Sequence, residues 1–236
     1  TNKMFTSILI LGHTGFIGKN LLSYFENKFP EVEVIGKSSG DIDLTSDECT
    51  AQLEDYLSSN TLLVILSGIK RKHNDSIDDF MTNIKMTENI CRALSKKKAR
   101  VIYFSSVVVY GEDIHNVDIT EKTHILPRSY YALAKYTSEQ LLLMEVKNEN
   151  VKDLLIVRPA IVYGPGDIDD TYGPVRFTGA AVNNNKINLW GDGNEYRDFI
   201  YIGDILDVLY RLICRNSIGI FNLATGKSHS FRDVVN

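Results

Sequence analysis

The segment RSYYALAKYTSEQLL, Arg128–Leu142, places Tyr131 four residues before Lys135. Residues four apart share one face of a helix, whereas immediate neighbours are turned away by about 100°. A phenol and an ammonium are thereby within reach of each other, with Tyr130 on a different face. Tyr130, Leu133, Ala134, Thr137 and Leu141 follow the i, i+3, i+4, i+7, i+11 spacing of a buried stripe, so Tyr130 is read as core. A free phenol has a pKa of about 10, too high for a base near neutrality. An adjacent cation favours phenolate by roughly one to three units. A phenol assisted in this way can move the proton that must accompany oxidation of an alcohol or reduction of a ketone. A third group should hydrogen-bond the reacting oxygen while its charge changes. VIYFSSVVVYG, Val101–Gly111, offers Ser105 and Ser106 where an apolar run ends, and strand alternation turns the two in opposite directions.

Such residues need a frame. Short apolar runs at Phe5–Leu11, Val32–Ile35, Leu62–Leu66, Val101–Phe104 and Leu154–Val157 read as buried strands. Between them lie amphipathic stretches, Ile17–Phe29, Ile77–Leu94 and Tyr130–Val146. This rhythm predicts an α/β fold, a doubly wound parallel sheet with helices on both faces, and strand ends in such sheets are where ligands bind. After Arg158 the texture shifts to turns rich in Gly, Pro and Asp, with YGPGD at Tyr163–Asp167 and WGDGNEYRDF at Trp190–Phe199. The expected division is a main domain over residues 1–160 and a smaller lobe over 161–236. From that lobe a segment at about 199–223 is expected to return to the main sheet.

Composition narrows the classes of partner. The chain has 236 residues, a net charge of -4 and 44% hydrophobic residues, enough for a sizeable core. A mildly acidic balance without a basic stripe argues against nucleic acid. Lys96, Lys97 and Lys98 suit a helix C-terminus. Cys49, Cys91 and Cys214 are odd in number and scattered, which reads as reduced thiols in a cytoplasmic chain. His13, His73, His115, His124 and His229 show no metal-ligand spacing, so no metal is expected. No apolar run approaches the roughly 20 residues of a membrane helix, so no membrane partner is expected either.

SILILGHTGFIG sets Gly12, Gly15 and Gly18 at G-x-x-G-x-x-G spacing directly after the first strand and at the mouth of a helix. Small residues let the backbone approach a pyrophosphate, and the N–H groups around Gly15, Phe16, Ile17 and Gly18 would face it. The strand-turn-helix setting points to a dinucleotide site of Rossmann type. At the end of the second strand, VEVIGKSSGDIDL supplies Lys37, Ser38 and Ser39, where readers of NAD usually place an acid. Basic and hydroxyl groups suit a 2′-phosphate, so NADP is expected, with NAD as the alternative. Asp43 and Leu44 are placed to touch adenine, and a capping role for Asp43 is the competing reading.

With these pieces assembled, the chain resembles the extended short-chain dehydrogenases/reductases, specifically the NAD-dependent epimerase/dehydratase family acting on nucleotide sugars. The resemblance spans nearly the whole chain: GHTGFIG, NIKMTENI at Asn83–Ile90, SSVVVYG, YALAK, RPAIVYGPGD at Arg158–Asp167, GDGNEYRDFIYIGDI at Gly191–Ile205 and FNLATG at Phe221–Gly226, in family order. It implies Tyr131 as acid/base, Lys135 as its electrostatic partner and a ribose ligand, and Ser106 as the partner of the substrate oxygen, with Ser105 the competitor. Ser67 would line the cofactor, Tyr163 would lie near the nicotinamide, and Arg197 would grip the diphosphate of the sugar nucleotide. A structural salt bridge from Arg197 to Asp198 or Asp204 is the alternative, and Asn83 is read equally as structural or functional. A homodimer through the two long helices is also implied.

Departures from the family pattern shape the expectation. Ile161 stands where relatives have asparagine, Ser67-Gly68 replaces an alanine pair, and Met86 stands where glycine is common. Val107 and Val108 occupy places where double epimerases carry cysteine and dehydratases carry acids, which disfavours both chemistries. The chain stops soon after FNLATG, so the substrate lobe is expected to be truncated. The resulting expectation is hydride transfer at sugar C4, by a 4-epimerase or a 4-ketoreductase. The rivals are a dehydrogenase of a non-sugar alcohol and a silent cofactor-sensing module.

Overall fold

The computed structural model describes residues 5–70, 75–111, 118–167, 173–189 and 191–235; His73, His115 and Trp190 lie outside them. The apolar runs become strands β1 (Ser7–Leu11), β2 (Glu33–Lys37), β3 (Thr61–Ile65), β4 (Ala99–Phe104) and β5 (Val151–Pro159). They alternate with α1 (Phe16–Lys28), α2 (Cys49–Glu54), α3 (Ile77–Lys96) and α4 (Tyr130–Lys147), and a 3-10 turn, Val107–Tyr110, follows β4. The later chain adds β6 (Ile161–Tyr163), α5 (Gly173–Val182), β7 (Tyr196–Tyr201), α6 (Ile202–Cys214), β8 (Gly219–Leu223), β9 (Ser228–Ser230) and α7 (Phe231–Val235).

Six strands form a parallel sheet in the order β2-β1-β3-β4-β5-β8. The chain steps outward from β1 to β2, then crosses back to β3 on the other side of β1. The crevice above the carboxyl ends of β1 and β3 is therefore the switch point where such sheets bind ligands. Strand alternation gives the sheet two apolar faces. Leu9, Leu11, Leu63, Ile65 and Val101 pack with residues of α2, α3 and α4. Ile8, Ile10, Leu62, Val64 and Ile102 pack with residues of α1 and α6 on the other side. This is the expected Rossmann-type arrangement. β6, β7 and β9 make a separate small sheet. Among the described residues no helix is long and apolar enough to cross a membrane.

Helix α4 corrects one expectation. Tyr130 and Leu133, read as part of a core stripe, are each 40% exposed. Of that stripe Ala134 is buried and Thr137 and Leu141 are half-buried, and the buried side of the helix also carries Ala132, Lys135, Ser138, Glu139 and Leu142. The physical reason is that its polar groups find partners inside, as buried polar groups must. Lys135 Nζ donates to the Phe104 carbonyl at 2.8 Å. Ser138 Oγ lies 2.8 Å from Thr87 Oγ1 on α3. Glu139 pairs with Arg158 of β5 at 2.6 Å. Polar residues can thus share the inward face, while Tyr130 and Leu133 are left outside.

Candidate active site

The glycine turn is built by close approach. Gly12, at φ +90°, sits where an added Cβ would lie 3.0 Å from the Ser67 backbone nitrogen, so only glycine lets β1 and β3 end side by side here. Gly18 packs so tightly under the turn that a Cβ would lie 2.3 Å from the Gly12 carbonyl oxygen. Gly15 is the N-cap of α1, exposed, with no side chain capping the helix and no acid in its first turn. Phe16 and Ile17, half-buried, begin the helix behind it. An uncapped helix N-terminus at the switch point, roofed by glycine, fits a pyrophosphate.

At the adenosine end, two of the three residues expected at a 2′-phosphate, Lys37 and Ser38, already have protein partners. Lys37 Nζ lies over the Tyr56 ring, 4.8 Å from its centroid. The Ser38 amide and hydroxyl both donate to Asp41 Oδ2 at 2.7 Å. The turn after β2 therefore carries a carboxylate that the reading of Lys37, Ser38 and Ser39 passed over. Its signal was present in the sequence as an acid three residues beyond Ser38. Asp43 Oδ1 accepts from the Thr45 amide at 2.9 Å and hydroxyl at 2.7 Å, a turn-capping role. Leu44 is buried, and its carbonyl accepts from Asn89 Nδ2 at 2.9 Å.

The proposed reacting groups gather where β3 and β4 end. Ser67 is half-buried, and a Cβ on Gly68 would lie 3.6 Å from Lys135 Nζ. Asn83 clamps this loop: its Oδ1 accepts from the Ile69 amide at 2.7 Å and its Nδ2 donates to the Ile69 carbonyl at 3.2 Å. Ser106 is half-buried and caps the 3-10 turn, its Oγ accepting from the Val108 amide at 3.4 Å. Ser105 is buried, and its Oγ has no hydrogen-bond partner among the described residues. Tyr131 is half-buried in the first turn of α4. Lys135 Nζ lies 5.9 Å from the centroid of its ring and 5.1 Å from that of Tyr103.

The electrostatics differ from the simple picture of a lysine lowering a phenol. Burial pushes the Tyr131 phenol up to about 12. Burial also brings the Lys135 ammonium down to about 8, against the opposing pull of Glu139. The cause is desolvation of both groups, with Nζ turned to the Phe104 carbonyl. Burial therefore favours the neutral form of both groups, the protonated phenol and the uncharged amine.

Other residues fall elsewhere. Tyr163 ends β6, its ring 5.8 Å from that of Tyr201. Arg197, in β7, pairs with Glu195 and donates to the Tyr196 carbonyl at 2.8 Å, so its ionic partner is neither Asp198 nor Asp204. Asp198 instead accepts from the amides of Thr225, Gly226 and Lys227. Among the described contacts, none joins Tyr163 or Arg197 to Ser106, Tyr131 or Lys135. One contributor lay hidden from the sequence: Asp75 accepts from the Tyr130 and Tyr131 amides at 2.8 and 3.0 Å, holding the start of α4.

Residues 8–224 match the model of the NAD dependent epimerase/dehydratase family. The chain belongs to this family. Among curated members, it is 29% identical over 229 residues to a GDP-6-deoxy-D-talose 4-dehydrogenase of Aggregatibacter actinomycetemcomitans, covering 94% of this chain and 76% of that protein. It is 25% identical to an N-acetyl-alpha-D-glucosaminyl-diphospho-ditrans,octacis-undecaprenol 4-epimerase of Escherichia coli O157:H7, covering 87% of this chain and 63% of that protein. A solved epimerase/dehydratase, the dTDP-glucose 4,6-dehydratase of Bacillus anthracis str. Ames in complex with NAD, superposes with a TM-score of 0.80 at 18% identity. That superposition covers 98% of this chain and 79% of the other, and shows the shared fold.

Proposed function

We propose that this protein transfers hydride at C4 of a nucleotide-diphosphate sugar, as a 4-ketoreductase or, with the cofactor retained, a 4-epimerase. The observation that carries the reading is the pairing of Tyr131 and Lys135 on α4, Nζ 5.9 Å from the centroid of the phenol ring, with Lys135 beside Gly68 in the loop that follows β3 and Ser67 of that loop against Gly12 of the glycine turn. A phenol so placed can give the proton that ketone reduction requires. A nicotinamide, when bound, supplies or accepts the hydride. Ser106 steadies the substrate oxygen, Tyr131 gives or takes its proton, and Lys135 balances the charge that results. Arg197 grips the diphosphate after exchanging Glu195 for substrate, and Tyr163 flanks the nicotinamide. The two relatives named as a 4-dehydrogenase and a 4-epimerase support C4 as the position. A second copy, packed on α3 and α4, completes the proposed assembly.

For the cofactor, Lys37 supports NADP(H), the first reading. Asp41, fixed by Ser38 at the same turn, favours NAD(H) as the second, because a carboxylate there binds ribose hydroxyls and repels a phosphate. One experiment covers both questions: a nucleotide-sugar panel is assayed with each nicotinamide cofactor and with none added. A reductase consumes cofactor stoichiometrically, whereas an epimerase converts substrate without net change in nicotinamide absorbance. At least tenfold preference for NADPH in kcat/KM supports Lys37 as the reader, and the reverse gives the role to Asp41. Arg197→Ala should lose well over tenfold in kcat/KM, about 1.4 kcal/mol or more. An unaffected Arg197→Ala enzyme would favour a non-sugar alcohol instead.

A further inference from the structure

Tyr110 has no place in the roles above, yet its side chain is fully buried and it closes the 3-10 turn that Ser106 opens. Arg158 donates from Nη1 to the Tyr110 hydroxyl at 2.7 Å, and that hydroxyl donates to Asn222 Oδ1 of β8 at 2.8 Å. The guanidinium also lies 5.0 Å from the centroid of the Tyr110 ring. The other edge of Arg158 is gripped by Glu139, through Nε to Oε1 at 2.9 Å and Nη2 to Oε2 at 2.6 Å. Glu139 stands one helical turn beyond Lys135. A continuous set of bonds thus runs from the helix of Tyr131 and Lys135, through β5, to the turn of Ser106, with β8 as its far anchor.

We propose that Tyr110 is a positioning residue, whose hydroxyl, held between Arg158 and Asn222, locks the Ser106 turn to helix α4. The inference rests on the reading of Ser106, Tyr131 and Lys135 as the reacting set. The backbone bonds of the turn are few: Val109 N to the Ser106 carbonyl at 3.3 Å and Gly111 N to the Val108 carbonyl at 3.1 Å, with Leu126 N to the Val109 carbonyl at 3.0 Å tying it to the later chain, and none of these reaches α4. The grip on Arg158 is bidentate and fixes its plane, so the direction in which Nη1 points is fixed too. Charge-assisted bonds of this kind are stronger than those between neutral groups. A reacting group displaced by about 1 Å can lose on the order of a hundredfold in rate.

Tyr110→Phe removes the hydroxyl and keeps the ring, leaving Nη1 of Arg158 and Oδ1 of Asn222 without this partner. Hydrogen exchange on the full chain should show the Val109 and Gly111 amides exchanging about tenfold faster, with β4 unchanged. The value of kcat per cofactor-binding site should fall about tenfold, with substrate KM and cofactor Kd within about twofold. Unchanged exchange in the turn overturns the proposal whatever the substrate proves to be. Failure of the functional reading shows differently, as wild-type protein without turnover, and the exchange result then decides alone. Faster exchange with wild-type kcat per site also overturns the proposal and leaves Tyr110 a purely structural group. If Tyr110→Phe does not fold, Asn222→Ala, on the edge strand, is measured in the same way against the same outcomes.

Discussion

Lys135 is 8% exposed, and the fold holds its ammonium against the Phe104 carbonyl. Its pKa of about 8 lies below the value of about 10.4 for an unfolded lysine. The charged form is therefore penalised in the folded chain. That penalty is complete below about pH 8 and disappears as the pH rises towards the unfolded value. Lys135→Met is predicted to stabilise the protein at pH 7 by on the order of 1–3 kcal/mol, several degrees in Tm, while abolishing turnover. The gain should shrink between pH 8 and about pH 10. Tyr131, raised to about 12, shifts in the opposite sense and costs stability above about pH 10, so the comparison is confined to pH 7–10, where the folded phenol stays protonated in both proteins. Calorimetry at the two pH values checks this, and a Lys135→Met protein no more stable than wild type at pH 7 would refute it.

At the level of the element, the start of α4 is pinned by groups from two places. Ser129 Oγ accepts from the Ala132 amide at 3.1 Å, while Asp75 takes the amides of Tyr130 and Tyr131 from a loop 55 and 56 residues earlier in the chain. Asp75→Ala should cost about 1–2 kcal/mol, read from the denaturant midpoint, and a loss of only a few tenths would contradict the capping role. The contrast between these two caps shows what a sequence carries. The four-residue spacing of Tyr131 and Lys135 is local, as are the patterns of α1, α3 and the first five strands, so all were legible; Ser129, next to the helix it caps, is local too but was not read as a cap. Asp75 acts from just before α3, with α3 and β4 between it and α4 in the chain, and nothing near either segment announces it. The inward face of α4 misled because Lys135, Ser138 and Glu139 look like surface residues until their partners on β4, α3 and β5 are known. Helix α6 had its signal, with Ile202, Ile205, Leu206, Leu209 and Ile213 all buried on one stripe, but it lies behind a turn-rich motif that drew the reading towards loops.

Across the whole molecule, the largest outward apolar side chains on the two long helices are Ile77 and Met81 of α3 and Tyr130, Leu133 and Met144 of α4. The Phe80 and Tyr130 rings, 6.4 Å apart, join the starts of the two helices. Exposed apolar residues on two packed helices suit a partner of the same kind. The wild-type protein is predicted to sediment as a dimer and a Leu133→Glu, Met144→Glu double variant as a folded monomer at the same concentration. Equal sedimentation of the two would rule out this face. The opposite kind of surface lies along β8, which borders the six-stranded sheet. There Glu121 Oε1 accepts from the Asn222 amide at 2.7 Å. An acidic side chain thus occupies a donor that a bare sheet border would offer to a stray strand from another molecule. Aggregation by strand addition is discouraged at that margin.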